Sequence, residues 1–261
     1  MTPPSALEAE REAGSATAGR LVYAIGDVHG EAELLERLLA KLIADMAGRT
    51  LERPPVVVFI GDYVDRGLKS RAVIEQVIEL KRDHRLEVRA LKGNHEEALI
   101  HFLQDPSFGP TWAEYGGLQT LLSYGVAPPR LKTRPEAWQS VRDAFAEALP
   151  QEHAAFLASL ELMVRYGDYV FVHAGVRPGV ALNQQREHDL LWIREPFLSA
   201  EGPFEGVIVH GHTPERDPFV GRCRIGIDTG AYATGVLTAV RLLAEERHIL
   251  QVGAGGRGSP G

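Results

Sequence analysis

The sequence contains a single cysteine, Cys223, in 261 residues, so it cannot form an internal disulfide. A chain without paired cysteines is typical of a reducing compartment. No apolar run reaches the roughly 20 residues that a membrane-spanning helix requires. The first twenty residues also lack the basic start and apolar middle of a secretory signal. These absences predict a cytoplasmic protein that makes no membrane contact.

An excess of basic residues is also lacking. The chain has 28 Lys and Arg against 35 Asp and Glu, which gives a formal net charge of −7. Proteins that bind nucleic acid usually present a basic face, so we expect no nucleic-acid partner, although a small positive site remains compatible with this charge. The hydrophobic fraction of 44% is ordinary for a globular protein with a substantial core.

Composition divides the chain into one domain and two tails. Residues 1–19 are rich in Ala, Glu, Gly, Pro and Ser without apolar periodicity, and residues 253–261 are rich in glycine. Such segments predict flexible ends. Between them we expect a single domain over residues 20–252, with a helical insert over about 101–168.

Short apolar runs rich in β-branched residues predict buried strands. They lie at residues 21–25, 56–60, 86–91, 169–173, 206–210, 224–228 and 235–242. Helical patterns at 31–45 and 70–82 separate the first three strands, and residues 96–162 read as mostly helical. Strands early, helices in the middle and strands late predict an α/β (α+β) protein in which two sheets pack together with helices outside.

Polar clusters flanked by glycine follow five of these strands. They read "GDVHG" from residue 26, "GDYVDRG" from 61, "GNHE" from 93, "HAG" from 173 and "HGHT" from 210. Ligand sites in α/β sheets gather beyond the carboxyl ends of strands. Asp27 and His29 are two residues apart, so on extended backbone their side chains point to one side. This spacing suits two ligands of one cation.

Each cluster has an ordinary alternative explanation. A lone Asp after a strand is commonly a helix N-cap, and a lone "GNH" or "HAG" is commonly a turn. Five such clusters at five strand ends are not explained by turn chemistry alone. Carboxylate, amide and imidazole groups without thiolate predict Mn²⁺, with Fe or Zn²⁺ as alternatives. His210 and His212 remain equal candidates on this reasoning.

The five motifs, in this order from residue 26 to 213, resemble those of the metallophosphoesterase superfamily, and within it the serine/threonine phosphoprotein phosphatases, bacterial members included. The resemblance implies a calcineurin-like fold of two mixed β-sheets packed as a sandwich, with helices outside. It also implies a centre of two divalent metal ions at the sheet edges. The activity that it implies is hydrolysis of a phosphoprotein or phosphopeptide.

The resemblance also implies roles for individual residues. Asp27 and His29 correspond to ligands of the first metal, and Asp62 to the carboxylate that bridges both metals. Asn94, His173 and His212 correspond to ligands of the second metal, which leaves His210 either to orient a ligand or to pack in the core. These six positions are the expected metal ligands.

Four further residues are expected to act on the substrate. By resemblance, His95 is the general acid, and Asp65 orients it and keeps it charged. Arg66 is similar to the phosphate-binding arginine of the family, and Arg194 in "LLWIREPF" is expected to be the second. For Arg194 the alternative is a surface ion pair with Glu187 or Glu195.

Two rival functions remain open. The first is hydrolysis of dinucleoside polyphosphates such as diadenosine tetraphosphate, because enzymes of that kind share nearly all these motifs. In symmetrically cleaving tetraphosphatases, however, another residue commonly replaces the Asp of "DRG". Asp65 therefore favours a protein phosphatase. Pro214 replaces the second His of the Gly-His-X-His pattern of related nucleases and phosphodiesterases. An inactive binding module is the other rival, but all expected ligands are present.

The helical middle is the expected source of substrate selection. Trp112, Tyr115, Trp138 and the "DPSFGP" loop at 105–110 are candidate lid residues. The alternative is that these aromatic side chains only pack the helices together, as buried aromatic residues usually do.

Overall fold

The computed structural model describes residues 16–131 and 134–253. The tails predicted at 1–19 and 253–261 lie mostly outside these ranges. Residues 16–19 form a turn, Thr17 is fully buried, and Gly253 ends the last strand. The described residues therefore begin four positions before residue 20 and end one position after residue 252. In the described part of the chain, no helix is long and apolar enough to cross a bilayer.

Ten strands form two five-stranded sheets. In the first sheet the order is β10-β9-β1-β2-β3, and in the second it is β4-β5-β6-β8-β7. The strands are β1 Val22–Ile25, β2 Val56–Phe59, β3 Glu87–Ala90, β4 Met163–Tyr166, β5 Tyr169–Val172, β6 Val207–His210, β7 Phe219–Val220, β8 Arg224–Gly226, β9 Val236–Leu243 and β10 Glu246–Gly253. Both sheets are mixed, as predicted.

Nine α-helices accompany the sheets in the described residues. They are α1 Ala32–Ala47, α2 Ser70–Lys81, α3 Asn94–Gln104, α4 Gly109–Glu114, α5 Gly117–Ser123, α6 Gln139–Ala148, α7 Gln151–Ala158, α8 Glu187–Trp192 and α9 Ala231–Thr234. Short 3₁₀ turns lie at Pro106–Phe108, Pro135–Trp138 and Leu182–Gln184. The range 101–168 predicted as a helical insert thus also contains strand β4.

The core has a layer between the sheets and a layer under the helices. In β1, Val22 and Ala24 pack between the two sheets, whereas Tyr23 and Ile25 face the helices. This alternation follows from the period of two along a strand. Because both faces of β1 are covered, its four residues are all apolar or aromatic and buried. The result is the predicted sandwich with helices outside.

Strand direction decides where the site forms. Strands β1, β2 and β3 run parallel, and so do β5, β6 and β8. The carboxyl ends of parallel neighbours lie at one edge of a sheet, and the two sheets are packed face to face. The loops that follow these strands therefore meet at one end of the sandwich.

Candidate metal centre and catalytic pocket

All six expected metal ligands lie together at this end of the sandwich. The residues are Asp27 and His29 after β1, Asp62 after β2, Asn94 after β3, His173 after β5 and His212 after β6. Each side chain is buried, and the most exposed of them retains 7% of its surface. A buried cluster of carboxylates and imidazoles needs a compensating partner, and a metal ion is one.

Asp62 occupies the centre of the cluster. Its Oδ2 lies 3.4 Å from His29 Nε2, and its Oδ1 lies 3.5 Å from His173 Nε2. Two groups of potential ligand atoms, each within 4.8 Å, share Asp62: one adds His29 and His95, the other adds Asp27 and His173. A carboxylate with one oxygen directed to each group has the geometry expected of a bridging ligand.

Backbone carbonyls orient two of the imidazoles. His29 Nδ1 lies 2.9 Å from the carbonyl oxygen of Val64, and His173 Nδ1 lies 2.9 Å from that of Ile60. A carbonyl accepts but cannot donate, so each Nδ1 carries the proton. Each Nε2 is then an unprotonated acceptor directed at the cluster, which is the arrangement that metal-binding histidines adopt.

Asn94, His173 and His212 also converge. Asn94 Oδ1 is 2.8 Å from both His173 Nε2 and His212 Nδ1. In the described part of the chain, Asp27 Oδ1 and His212 Nε2 are buried without a hydrogen-bond partner. Buried polar atoms are normally paired. These unpaired atoms, together with a donor set of oxygen and nitrogen, fit divalent cations.

Electrostatics favour the ligand forms of most of these groups. Burial lowers the pKa of His29 and of His212 to about 3, so both imidazoles are neutral. Burial opposes the ionisation of Asp62, but the nearby histidines, His173 first, bring its pKa below the usual value. Asp27 differs, because burial and then Asp228 raise its pKa. A cation beside Asp27 would offset this destabilisation of its charge.

The main chain passes very close to Asp27 at Gly211. A Cβ placed on residue 211 would lie 2.0 Å from Asp27 Oδ1. The amide of the next residue, His212, donates to Asp27 Oδ2 at 3.0 Å. Only glycine allows this approach, which explains the Gly before His212 in the "HGHT" motif.

His210, the other histidine of this motif, lies away from the cluster. Its Nε2 is 3.3 Å from Arg224 Nη1, and its ring packs edge-on against Phe197 at 5.0 Å between centroids. Side chains two residues apart on a strand point to the same face, so strand alternation alone would not separate His210 from His212. They separate because His212 has left the strand and has a left-handed φ of 64°.

His95 and Asp65 form a buried pair beside the metal-ligand cluster. His95 Nδ1 lies 2.8 Å from Asp65 Oδ2, and His95 Nε2 lies 3.9 Å from Asp62 Oδ2. Burial opposes protonation of His95, yet Asp62 and then Asp65 raise its pKa above the ordinary value. The pair therefore places a histidine with a raised pKa next to the cluster.

His95 and four of the expected metal ligands line a pocket of about 260 Å³; these ligands are His29, Asp62, Asn94 and His212. Arg66 and Arg194 are both in its wall, and Arg66 Nη2 lies 3.4 Å from His95 Nε2. The alternative partners of Arg194 are engaged elsewhere, because Glu187 pairs with Lys92 at 2.8 Å and Glu195 accepts from Ser199 Oγ at 2.5 Å. Both expected arginines thus lie where an anion in the pocket would meet them.

Several pocket residues were missed by the sequence analysis. Asp228 follows β8, is 5% exposed, and has its pKa raised to about 6, mainly by burial. Tyr232 accepts a hydrogen bond from Arg66 and stacks under its guanidinium at 4.5 Å. Applying the strand-end rule to "RIGID" would have found Asp228. No local sequence signal indicates Tyr232.

The lid candidates divide into two kinds. Trp112 and Trp138 are fully buried, so they are core residues and not part of a lid. Tyr115 lines the catalytic pocket, and the 105–110 loop forms a 3₁₀ turn that leads into α4.

Glu96 organises the loops that carry the ligands. Its Oε1 accepts from the amides of Tyr63 and Val64, and its Oε2 accepts from those of Asp62 and Gly93, at 2.9–3.2 Å. Glu96 is the last residue of the "GNHE" motif, and its position in the sequence alone predicts no role for it. Four amide donors on one buried carboxylate fix the "GDYV" loop against the start of α3.

We expect Glu96→Gln to destabilise the fold. The new NH₂ group would face two amide donors, which leaves them unpaired at a cost of about 2–4 kcal/mol in the free energy of unfolding. Urea denaturation measures this, with Glu114→Gln on the exposed surface of α4 as the matched control. Equal stability of the two variants would remove Glu96 from this structural role.

Comparisons with known proteins bear on the family and the fold of the chain. A model of the calcineurin-like phosphoesterase family matches residues 21–237. The asymmetrical bis(5'-nucleosyl)-tetraphosphatase PrpE of Oceanobacillus iheyensis is 28% identical over 239 residues, which cover 85% of this chain and 88% of the relative.

Solved structures share the fold at low sequence identity. One that is described provisionally as a diadenosine tetraphosphatase aligns with a TM-score of 0.64 at 20% identity, covering 91% of this chain and 96% of its own. A cold-active protein-tyrosine phosphatase of a psychrophilic Shewanella aligns with a TM-score of 0.55 at 18% identity. The alignment covers 89% of this chain and 80% of the phosphatase.

Proposed function

Because the chain belongs to the calcineurin-like phosphoesterase family, we propose that it is a metal-dependent phosphomonoesterase acting on phosphoserine and phosphothreonine in proteins. The observation that carries the proposal is the buried His95–Asp65 pair, 2.8 Å apart, at the wall of the pocket. A serine or threonine alkoxide is a poor leaving group and requires a proton, whereas a phosphate leaving group requires little help.

The family uses a dinuclear divalent metal centre, and the residues of this chain fit one. Asp27, His29, Asn94, His173 and His212 would hold the ions, with Asp62 between them, and we propose Mn²⁺ as the native metal. When bound, two such ions supply a hydroxide at neutral pH and offset the charge of the phosphoryl oxygens.

Arg66 and Arg194 would bind the phosphoryl group. A guanidinium can donate two parallel hydrogen bonds to a phosphate, which fixes its orientation as well as its charge. Tyr232 holds Arg66 through both a hydrogen bond and its ring face. These two arginines would give the pocket a local positive charge that attracts a phosphate, although the whole chain carries a net charge of −7.

His95 would protonate the departing oxygen. Its Nδ1–H is held by Asp65, so the proton to be transferred is on Nε2, the atom nearer to Asp62 and Arg66. Asp65 stabilises the charged imidazolium and keeps the ring in one orientation.

Hydrolysis of dinucleoside polyphosphates is a second candidate function. The PrpE relative carries that name, and a groove of about 530 Å³ adjoins the catalytic pocket. Tyr115 and Trp192 line both the groove and the pocket, with 5.9 Å between their ring centroids. Aromatic faces next to a phosphate site would suit a nucleoside.

One rate comparison tests the proposal. Protein stripped of metal and reconstituted with Mn²⁺ is assayed on a phosphoserine peptide, a phosphotyrosine peptide and diadenosine tetraphosphate. We expect the highest kcat/KM on the phosphoserine peptide. A clear preference for diadenosine tetraphosphate would establish the second function, and background turnover of all three with metal restored would exclude both.

A variant of Trp192 tests the role of the groove. If a nucleoside stacks on Trp192, Trp192→Ala lowers kcat/KM for diadenosine tetraphosphate by about tenfold or more, while the rate on p-nitrophenyl phosphate stays nearly constant. Trp192→Phe, which keeps an aromatic face, is the matched control. Equal losses on both substrates would show a disturbed pocket and no stacking.

A further inference from the structure

We propose that the α4–α5 hairpin, residues 109–123, is the element that positions the Asp65–His95 pair, so that Trp112 and Thr120 are positioning residues of the reaction. The inference rests on the proposed general-acid role of His95. It gives the helical insert a function other than substrate selection. Neither residue lines the pocket, and both are fully buried.

Both oxygens of Asp65 are bound by the hairpin. Trp112 Nε1 donates to Asp65 Oδ2 at 3.0 Å, and Thr120 Oγ1 donates to Asp65 Oδ1 at 2.6 Å. His95 Nδ1 uses the remaining capacity of Oδ2 at 2.8 Å. A carboxylate held at both oxygens cannot rotate about its Cβ–Cγ bond, so the direction of its bond to His95 is fixed.

The hairpin also holds the backbone of this segment. Asp65 and Arg66 have left-handed φ angles of 70° and 67°, which are costly for residues other than glycine. The Asp65 amide donates to Thr120 Oγ1 at 2.9 Å, and the Arg66 amide donates to the carbonyl of Gly116 at 3.2 Å. These bonds compensate the strained conformation of two neighbouring residues.

Gly116 allows this close approach. Its own φ is 102°, and a Cβ at this position would lie 2.7 Å from the Arg66 nitrogen. The turn between α4 and α5 is therefore shaped to contact the "DRG" loop. The hairpin sets the direction of the Asp65 carboxylate and the path of the chain into Arg66, the expected phosphate ligand.

Variants that remove one donor each test this inference. Thr120→Val keeps the shape but removes the hydroxyl, Thr120→Ser keeps the hydroxyl, and Trp112→Phe removes the indole N–H. Tyr124→Phe is the matched control, because it removes a buried hydrogen bond of the same region, from Tyr124 to His153 Nδ1 at 2.8 Å. Each protein is reconstituted with Mn²⁺ and assayed on a phosphoserine peptide and on p-nitrophenyl phosphate.

We expect Thr120→Val and Trp112→Phe to lower kcat on the phosphoserine peptide by about 10–100-fold, since a misplaced acid loses most of its effect. On p-nitrophenyl phosphate, whose leaving group needs no acid, the loss should stay within a few-fold. Thr120→Ser and Tyr124→Phe should keep the wild-type ratio of the two rates. Equal losses on both substrates in folded Thr120→Val and Trp112→Phe would overturn the inference.

A structural measurement separates this inference from the proposed function. If the wild-type enzyme hydrolyses neither ester, the general-acid role fails. The crystal structure of Thr120→Val still reports whether the hairpin positions the pair. We expect the His95–Asp65 hydrogen bond to break there, whereas a pair that stays at its wild-type distance would overturn the positioning role.

Discussion

Asp62→Asn should lose bound metal and activity together. The carboxylate lies between His29 and His173, and replacing one oxygen by an NH₂ group removes both the charge and one ligand atom. Outer-shell changes at metal sites already cost about 10–100-fold, so we expect a larger loss of kcat/KM here. Elemental analysis of Mn²⁺-reconstituted protein measures the metal content.

The control for this variant is Asp217→Asn, an identical change at an exposed position. It should keep two metal ions per chain and wild-type turnover of p-nitrophenyl phosphate. Asp62→Asn also weakens the bond from the His95 amide to Asp62 Oδ1, 3.1 Å long, so its thermal unfolding should be recorded. Full occupancy of both metal positions in a folded Asp62→Asn protein would contradict the bridging role.

His95→Asn should separate chemistry from metal binding. We expect the metal content to stay near that of the wild type, because His95 is paired with Asp65. The kcat on a phosphoserine peptide should fall by roughly 10²–10⁴-fold, the contribution of a general acid to a poor leaving group. The loss on p-nitrophenyl phosphate should be much smaller.

His101→Asn on the exposed side of the same helix is the matched control. It should change neither rate. If His95→Asn reduced both rates by the same factor, His95 would not be the acid. If the His95→Asn variant instead lost one metal ion, His95 would be a metal ligand, because it lies in one group of potential ligand atoms with His29 and Asp62.

Much of the fold could be predicted from local patterns. The strands β1, β2, β5, β6 and β9 are rich in apolar and β-branched residues, and helices α1 and α2 repeat apolar residues every three or four positions. Three strands were not predicted. β10 alternates exposed and partly buried residues, β7 has only two residues, and β4 lies in a region where helical patterns dominate.

The candidate site was predictable to the extent that its residues follow strand ends. Glycine-flanked Asp, Asn and His residues mark the carboxyl ends of parallel strands, and chain direction then brings them to one edge. Asp228 fits the same rule and was overlooked. By contrast, the contacts of Asp65 with Trp112 and Thr120 join residues 47 and 55 positions apart, and nothing local records them.

The sequence by itself determined the family, the two-sheet architecture and the residue types of the centre, because strand periodicity and ligand chemistry are local properties. Only the tertiary structure decided that Glu96 holds four amides and that the helical insert supports Asp65. These outcomes depend on which distant segments pack against each other. Contacts of this kind depend on how side chains from all segments pack together in the core, and no single motif specifies them.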